Sequence, residues 1–251
     1  MRRIIVIGIG AGDPEQVTIQ AVNAINRSDV FFVLDKGEVK QELVDLRSEI
    51  LTRYANHTYR VVHGQDPERD RTSAAYVEAV DDWRRRRADV CQSMIASSLD
   101  EDQTGAFLVW GDPSLYDSTL AILSDISARG SLEFEVEVIP GISSVSNLAA
   151  RHRIPLNQVG KPVQITTGRR LANAWPTDVD DVVVMLDAQT AFTEHPDADI
   201  YWGAYLGTPD EILISGPVTE VADHIVETRA EARRRKGWIM DTYLLRRGFR
   251  S

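Results

Sequence analysis

The sequence predicts an α/β protein with a parallel, doubly wound N-terminal sheet and a mixed-sheet C-terminal domain. Two observations carry that expectation. Up to Ile139, five short apolar runs alternate with longer amphipathic segments, the rhythm of a parallel sheet covered by helices on both faces. Beyond Pro155 the strand-like runs continue with fewer long helices between them, as a mixed sheet requires.

A chain of 251 residues, 43% hydrophobic, is globular and long enough for two modest domains. Its net charge of −10 argues against a nucleic-acid or anionic-membrane partner. Cys91 is the single cysteine, which excludes an intrachain disulfide and a thiolate metal cluster. No apolar stretch approaches the roughly 20 residues of a membrane helix. The apolar run after Arg2-Arg3 is too short for a signal-peptide core, so the expectation is a cytoplasmic protein.

Residues 4–7, Ile-Ile-Val-Ile, read as a strand buried on both faces. Gly8-Ile9-Gly10-Ala11-Gly12-Asp13-Pro14 follows, with Asp13 as a helix cap and Pro14 at a first helical position. Val17, Ala21, Ala24 and Ile25 share one face of the next helix. Asp13 stands where a dinucleotide fingerprint needs its third glycine, and no Gly-Lys-Ser/Thr marks a P-loop. Residues 30–34 form the second strand and end at Asp35, a candidate catalytic carboxylate at the ligand-binding edge. A helix with Val39, Leu43, Leu46, Ile50 and Tyr54 on one face comes next. Residues 59–62 are a third strand, followed by a polar loop from His63 to Thr72. Tyr76, Val80, Trp83, Val90 and Met94 mark a long helix, whose run Arg84 to Arg87 reads as a solvated face.

Residues 106–109 are the fourth strand, and Trp110-Gly111-Asp112-Pro113-Ser114-Leu115-Tyr116 lies at its carboxyl end. Gly111 permits the turn, Asp112 offers acceptors, and Pro113 removes a donor. The next helix, 120–126, holds the expected boundary, giving domains 1–118 and 119–251. A strand over 133–139 leads to Pro140-Gly141-Ile142-Ser143-Ser144, which opens a helix. Strands are expected at 163–167, 182–186, 200–206, 211–215 and 238–245, with a helix at 218–234 whose basic end suits its dipole.

The three glycine loops, with Met185-Leu186 and Gly207-Thr208 downstream, resemble the tetrapyrrole methylases in order and spacing, over essentially the whole chain. That resemblance implies a two-domain tetrapyrrole methylase-like fold, with S-adenosylmethionine in a cleft between the domains, and a homodimer. Carried over by motif position, the implied cofactor contacts are Gly10, Ala11, Trp110, Gly111, Asp112, Leu115, Tyr116, Ser143, Ser144, Met185, Leu186 and Gly207. Ala11 stands where many family members carry proline. The longer segments 33–38, 66–72, 165–170 and 237–243 resemble the branch of the family that acts on precorrin-5. They imply methylation at C-1 with release of acetate, and S-adenosylhomocysteine as co-product. Precorrins carry many carboxylates, which makes Arg69, Arg71, Arg169 and Arg170 candidate substrate contacts.

Acetate release needs an activated water, for which Asp35, His63, His152 and Asp241 are available; Asp35 stands first, because it ends a parallel strand on the ligand-binding edge. There is no Gly-x-Ser-x-Gly and no His-Glu-x-x-His, and no metal is expected. Two other readings stand beside this one: another precorrin methyltransferase of the family, and a non-catalytic nucleotide-sensing α/β module.

Overall fold

The fold is described from a computed structural model, for residues 1–35, 41–68 and 76–248. Arg69 and Arg71 lie outside the described residues. The chain divides into two compact units, Met1–Ile142 and Ser143–Ser251.

The first unit is built on β1 (Arg2–Gly8), β2 (Val30–Asp35), β3 (Arg60–Gln65), β4 (Thr104–Val109) and β5 (Phe134–Ile139). They form one sheet in the order β3-β2-β4-β1-β5, and every pairing is parallel. Alternate residues serve opposite faces. Ile5, Ile7, Phe31, Ala106 and Leu108 pack under α1 (Ile19–Ile25) and α2 (Gln41–Tyr54). Ile4, Val6, Phe32, Phe107 and Val109 pack under α3 (Tyr76–Ser98) and α4 (Thr119–Ala128). The sheet is therefore doubly wound.

β5 pairs with β1 from Arg2↔Phe134 to Ile7↔Ile139, so residues 119–142 complete the first sheet. The sequence reading placed them in the second domain, because sheet order does not show in a linear pattern of strands and helices. β2 pairs with β4 at only Val30↔Gly105 and Phe31↔Ala106. Beyond those pairs the strands part toward their carboxyl ends. Arg47 of α2 takes up the freed carbonyl, its Nε donating to Leu108 O at 2.9 Å.

The second unit contains α5 (Ser144–His152), β6 (Val163–Thr167), α6 (Gly168–Leu171), β7 (Asp181–Met185), β8 (Asp199–Ala204), β9 (Ile212–Pro217), α7 (Val218–Lys236) and β10 (Asp241–Arg246). Its sheet runs β6-β7-β10-β8-β9; β6 and β7 are parallel and the other pairings antiparallel. Val182, Val183, Val184, Ile200, Trp202, Tyr243, Leu244 and Leu245 are all buried in its core. The C-terminal ends of β6, β7 and β8 reach the same edge of the sheet, where β10 begins. The basic end of α7 does more than answer the helix dipole: Arg235 and Lys236 both pair with Asp210.

Candidate functional site

In the first unit, β1 and β4 lie side by side, yet α1 and α4 leave them for opposite faces of the sheet. That divergence is a topological switch point, where open α/β sheets hold ligands. The loops after β1, β4 and β5 meet there through main chain. Gly10 and Gly111 form an antiparallel bridge, with Gly111 N donating to Gly10 O at 2.7 Å and Gly10 N to Gly111 O at 3.3 Å. A Cβ on Gly8 would stand 2.7 Å from Gly141 Cα, and one on Gly141 would overlap Gly111 O. No side chain fits at that crossing. Gly111 itself has φ 71, in the left-handed region.

Asp112 ties the crossing together. Its Oδ2 accepts from Gly141 N at 2.9 Å, and its Oδ1 accepts from Ser114 N at 2.8 Å and from the Ser114 hydroxyl. Burial pushes its pKa up, but the hydrogen bonds from Ser114 and Gly141 outweigh that and hold it below the usual carboxylate value. Ala11 is buried and its N–H donates to Gln16 Oε1 at 3.3 Å. Leu115 is half-buried, and Tyr116 is exposed at φ 53. Trp110 packs on the core beside α2, with its indole Nε1 buried and lacking a hydrogen-bond partner among the described residues.

Asp35 lies at the same carboxyl edge, at the end of β2. The structure brings it to His63 of β3, whose Nδ1 is 3.2 Å from Asp35 Oδ1 and 3.1 Å from Oδ2. Both side chains are about half exposed.

The second unit carries the other expected contacts on one sheet edge. Ser143 caps α5, its Oγ accepting from Ser146 N. Ser144 meets Thr242, which stands opposite Met185 in the β10–β7 pairing. Leu186 follows with φ 54 and its side chain 66% exposed, an unusual state for a leucine. Gly207 has φ 78, and its N–H donates to Glu211 Oε2 at 2.8 Å. Arg169 and Arg170 are exposed on α6.

Sequence reasoning missed what holds Leu186 in place. The next residue, Asp187, is buried, and it accepts from Gln189 N, Ala191 N and the Tyr243 hydroxyl. Its carbonyl accepts from Arg229 Nη2, while Arg229 Nε donates to Asp241 at 2.8 Å. Trp202 Nε1 also donates to Asp241. Burial raises the Asp241 pKa, opposed by Arg229, and this clasped carboxylate is a structural group rather than a water-activating one. His152 is likewise engaged, donating to Trp202 O at 3.0 Å. The signal available in the sequence was an aspartate placed directly after an apolar strand end.

Among the described residues, no three or more His, Cys, Asp or Glu side chains are grouped as metal ligands would be, and no helix is long and apolar enough to cross a membrane.

A model of the tetrapyrrole (corrin/porphyrin) methylases matches residues 3–222. A precorrin-6A synthase (deacetylating) from Sinorhizobium sp is 53% identical over 251 residues, covering 99% of this chain and 96% of that protein. A solved structure from Corynebacterium diphtheriae, a cobalamin synthesis related protein (CobF), is similar at TM-score 0.84 and 39% identity, over 98% of both chains. The uroporphyrin-III C-methyltransferase of Thermus thermophilus, solved with S-adenyl homocysteine, shares the fold at TM-score 0.59 and 18% identity, over 97% of this chain and 96% of that one.

Proposed function

The chain belongs to the tetrapyrrole (corrin/porphyrin) methylases, and from that premise we propose that it methylates C-1 of precorrin-5 and releases acetate, giving precorrin-6A. The observation that carries this reading is the likeness to a precorrin-6A synthase along nearly the whole chain.

S-adenosylmethionine is the methyl donor, and it supplies a methyl group already activated on a positively charged sulfur. The protein's share is then alignment of donor and acceptor more than acid–base work. A main-chain crossing at Gly8, Gly111 and Gly141 suits that task, because peptide groups approach a ligand closely and move little. The donor contacts are Gly10, Ala11, Trp110, Gly111, Asp112, Leu115 and Tyr116 of the first unit. Ser143, Ser144, Met185, Leu186 and Gly207 of the second unit complete the set. Arg69, Arg71, Arg169 and Arg170 pair with carboxylates of the macrocycle, and Asp35 serves acetate release. The enzyme works in the cytoplasm as a homodimer.

The deciding experiment is incubation with precorrin-5 and methyl-labelled S-adenosylmethionine. One labelled methyl at C-1 and one equivalent of free acetate are expected. A product labelled elsewhere on the ring, without acetate, would assign the chain to a different methylation.

A further inference from the structure

We propose that His63 is the general base that activates water for acetate release, and that Asp35 is a positioning residue that orients it. This rests on the reading that precorrin-5 loses its acetyl group in this enzyme.

The assignment begins with the tautomer. Nδ1 of His63 lies 3.1 and 3.2 Å from the two carboxylate oxygens of Asp35. An ionised carboxylate only accepts, so Nδ1 carries the ring proton. In the neutral ring Nε2 then holds the lone pair, and among the described residues no hydrogen bond to Nε2 competes for it. The His63 side chain is 52% exposed, which leaves that nitrogen open to water. A base oriented by a second group is the arrangement that nucleophile activation requires.

Placement separates this histidine from the rest. Val33 pairs with His63 and Asp35 with Gln65, so Asp35 and His63 project on one face at the carboxyl ends of β2 and β3. Asp66 N donates to Asp35 O at 3.0 Å and fixes the two strand ends together. His57 bonds Ser28 O, His152 bonds Trp202 O, and His195 packs against Trp175 and Arg247. His224 lies on α7 of the second unit. Only His63 shares a sheet edge with the glycine loops. Two strand spacings, about 10 Å, separate β3 from β4. Methyl arrival and acetyl departure concern the same ring carbon, so donor and base must face each other across such an interval. The parting of β2 from β4 opens the edge at that point.

The step balances as a hydrolysis. Water oxygen bonds to the acetyl carbonyl carbon while one water proton passes to His63 Nε2. The bond from that carbon to C-1 then breaks, and its electron pair stays with the ring, where methylation consumes it. Acetic acid departs and ionises, and His63 returns its proton to solvent.

The test compares wild type, His63→Ala, Asp35→Asn and Asp35→Glu in single turnovers with precorrin-5 in ¹⁸O-water, with donor affinity measured by calorimetry. Wild type should place one ¹⁸O in acetate. His63→Ala should slow acetate release about 10²–10⁴-fold at unchanged donor affinity, and added imidazole should restore part of the rate. Asp35→Asn should slow release less, and Asp35→Glu should recover most of it. Wild-type rates in His63→Ala, or a loss that tracks donor affinity and ignores imidazole, would overturn the assignment and leave the methylation reading intact. No acetate from the wild-type enzyme would overturn both.

Discussion

Arg87 and Asp66 form a buried ion pair, with Nε 2.7 Å from Oδ1 and each side chain only 8% exposed. The run Arg84 to Arg87 looked like a solvated helix face, yet its last member points inward. Arg87 also donates to Ser118 Oγ at 2.7 Å and stacks over Trp83, whose indole donates to Pro67 O. One guanidinium thus joins α3 to the segment after β3 and to the start of α4. Since Asp66 N also bonds Asp35 O, the pair sits one step behind the Asp35–His63 contact.

Removing one partner strands a buried charge, a loss of about 3–5 kcal/mol. Arg87→Ala should therefore lower the urea midpoint severely, whereas Arg87→Met combined with Asp66→Leu should recover most of the loss. A single variant within 1 kcal/mol (roughly the value of an exposed pair) would mean that the pair is hydrated in solution.

Gly111→Val tests the main-chain crossing. At φ 71 a β-branched residue is strained by about 1–2 kcal/mol, and the loop relaxes away from the crossing to relieve it. Binding must restore the strain, so affinity for S-adenosylhomocysteine should fall about 5–30-fold while circular dichroism stays native. Unchanged affinity by calorimetry would remove Gly111 from the donor site.

Tyr243→Phe takes one donor from buried Asp187 and leaves an acceptor short. The expected cost is about 1–3 kcal/mol in chemical denaturation. Because Asp187 anchors the loop that carries Leu186, donor affinity should weaken alongside. Lost stability with intact affinity would confine the network to folding.

Burial lowers the pKa of His152 and of His195 from 6.5, the latter helped by Arg247. The native state therefore binds fewer protons than the unfolded chain just below pH 6.5. Their contribution is complete above that pH and is lost as the pH falls through the lowered values. Unfolding midpoints should drop from pH 7.5 to 5.5, with a shallower drop in a His152→Gln, His195→Gln variant. Parallel profiles for the two proteins would contradict the shift.

The proposed homodimer rests on the family likeness alone. Light scattering at micromolar concentration should give twice the chain mass; the mass of a single chain would contradict it.

Much of the fold was legible because strand cores are written locally. Ile4 to Ile7, Val30 to Leu34 and Val182 to Leu186 are apolar runs closed by glycine or aspartate, and a strand covers each of them to within one residue. What could not be read was pairing. That β5 returns to β1, that β2 leaves β4 after two residue pairs, and that His63 meets Asp35 all depend on contacts between distant positions. The glycine loops were legible as loops, and their likeness to a known family pointed to a ligand. The clasp around Asp187 was hidden because Arg229 comes from α7 and Tyr243 and Asp241 from β10, each ordinary alone and far from Asp187 in the sequence.

The crossing of Gly8, Gly111 and Gly141 also bears on how such a protein changes over generations. Peptide groups are the same whatever side chains surround them, so a grip made of them tolerates turnover at neighbouring positions. The constraint falls on Gly8 and Gly141, where an added Cβ would force two backbones apart. A donor grip of the kind proposed at this crossing would therefore survive changes in the side chains around it.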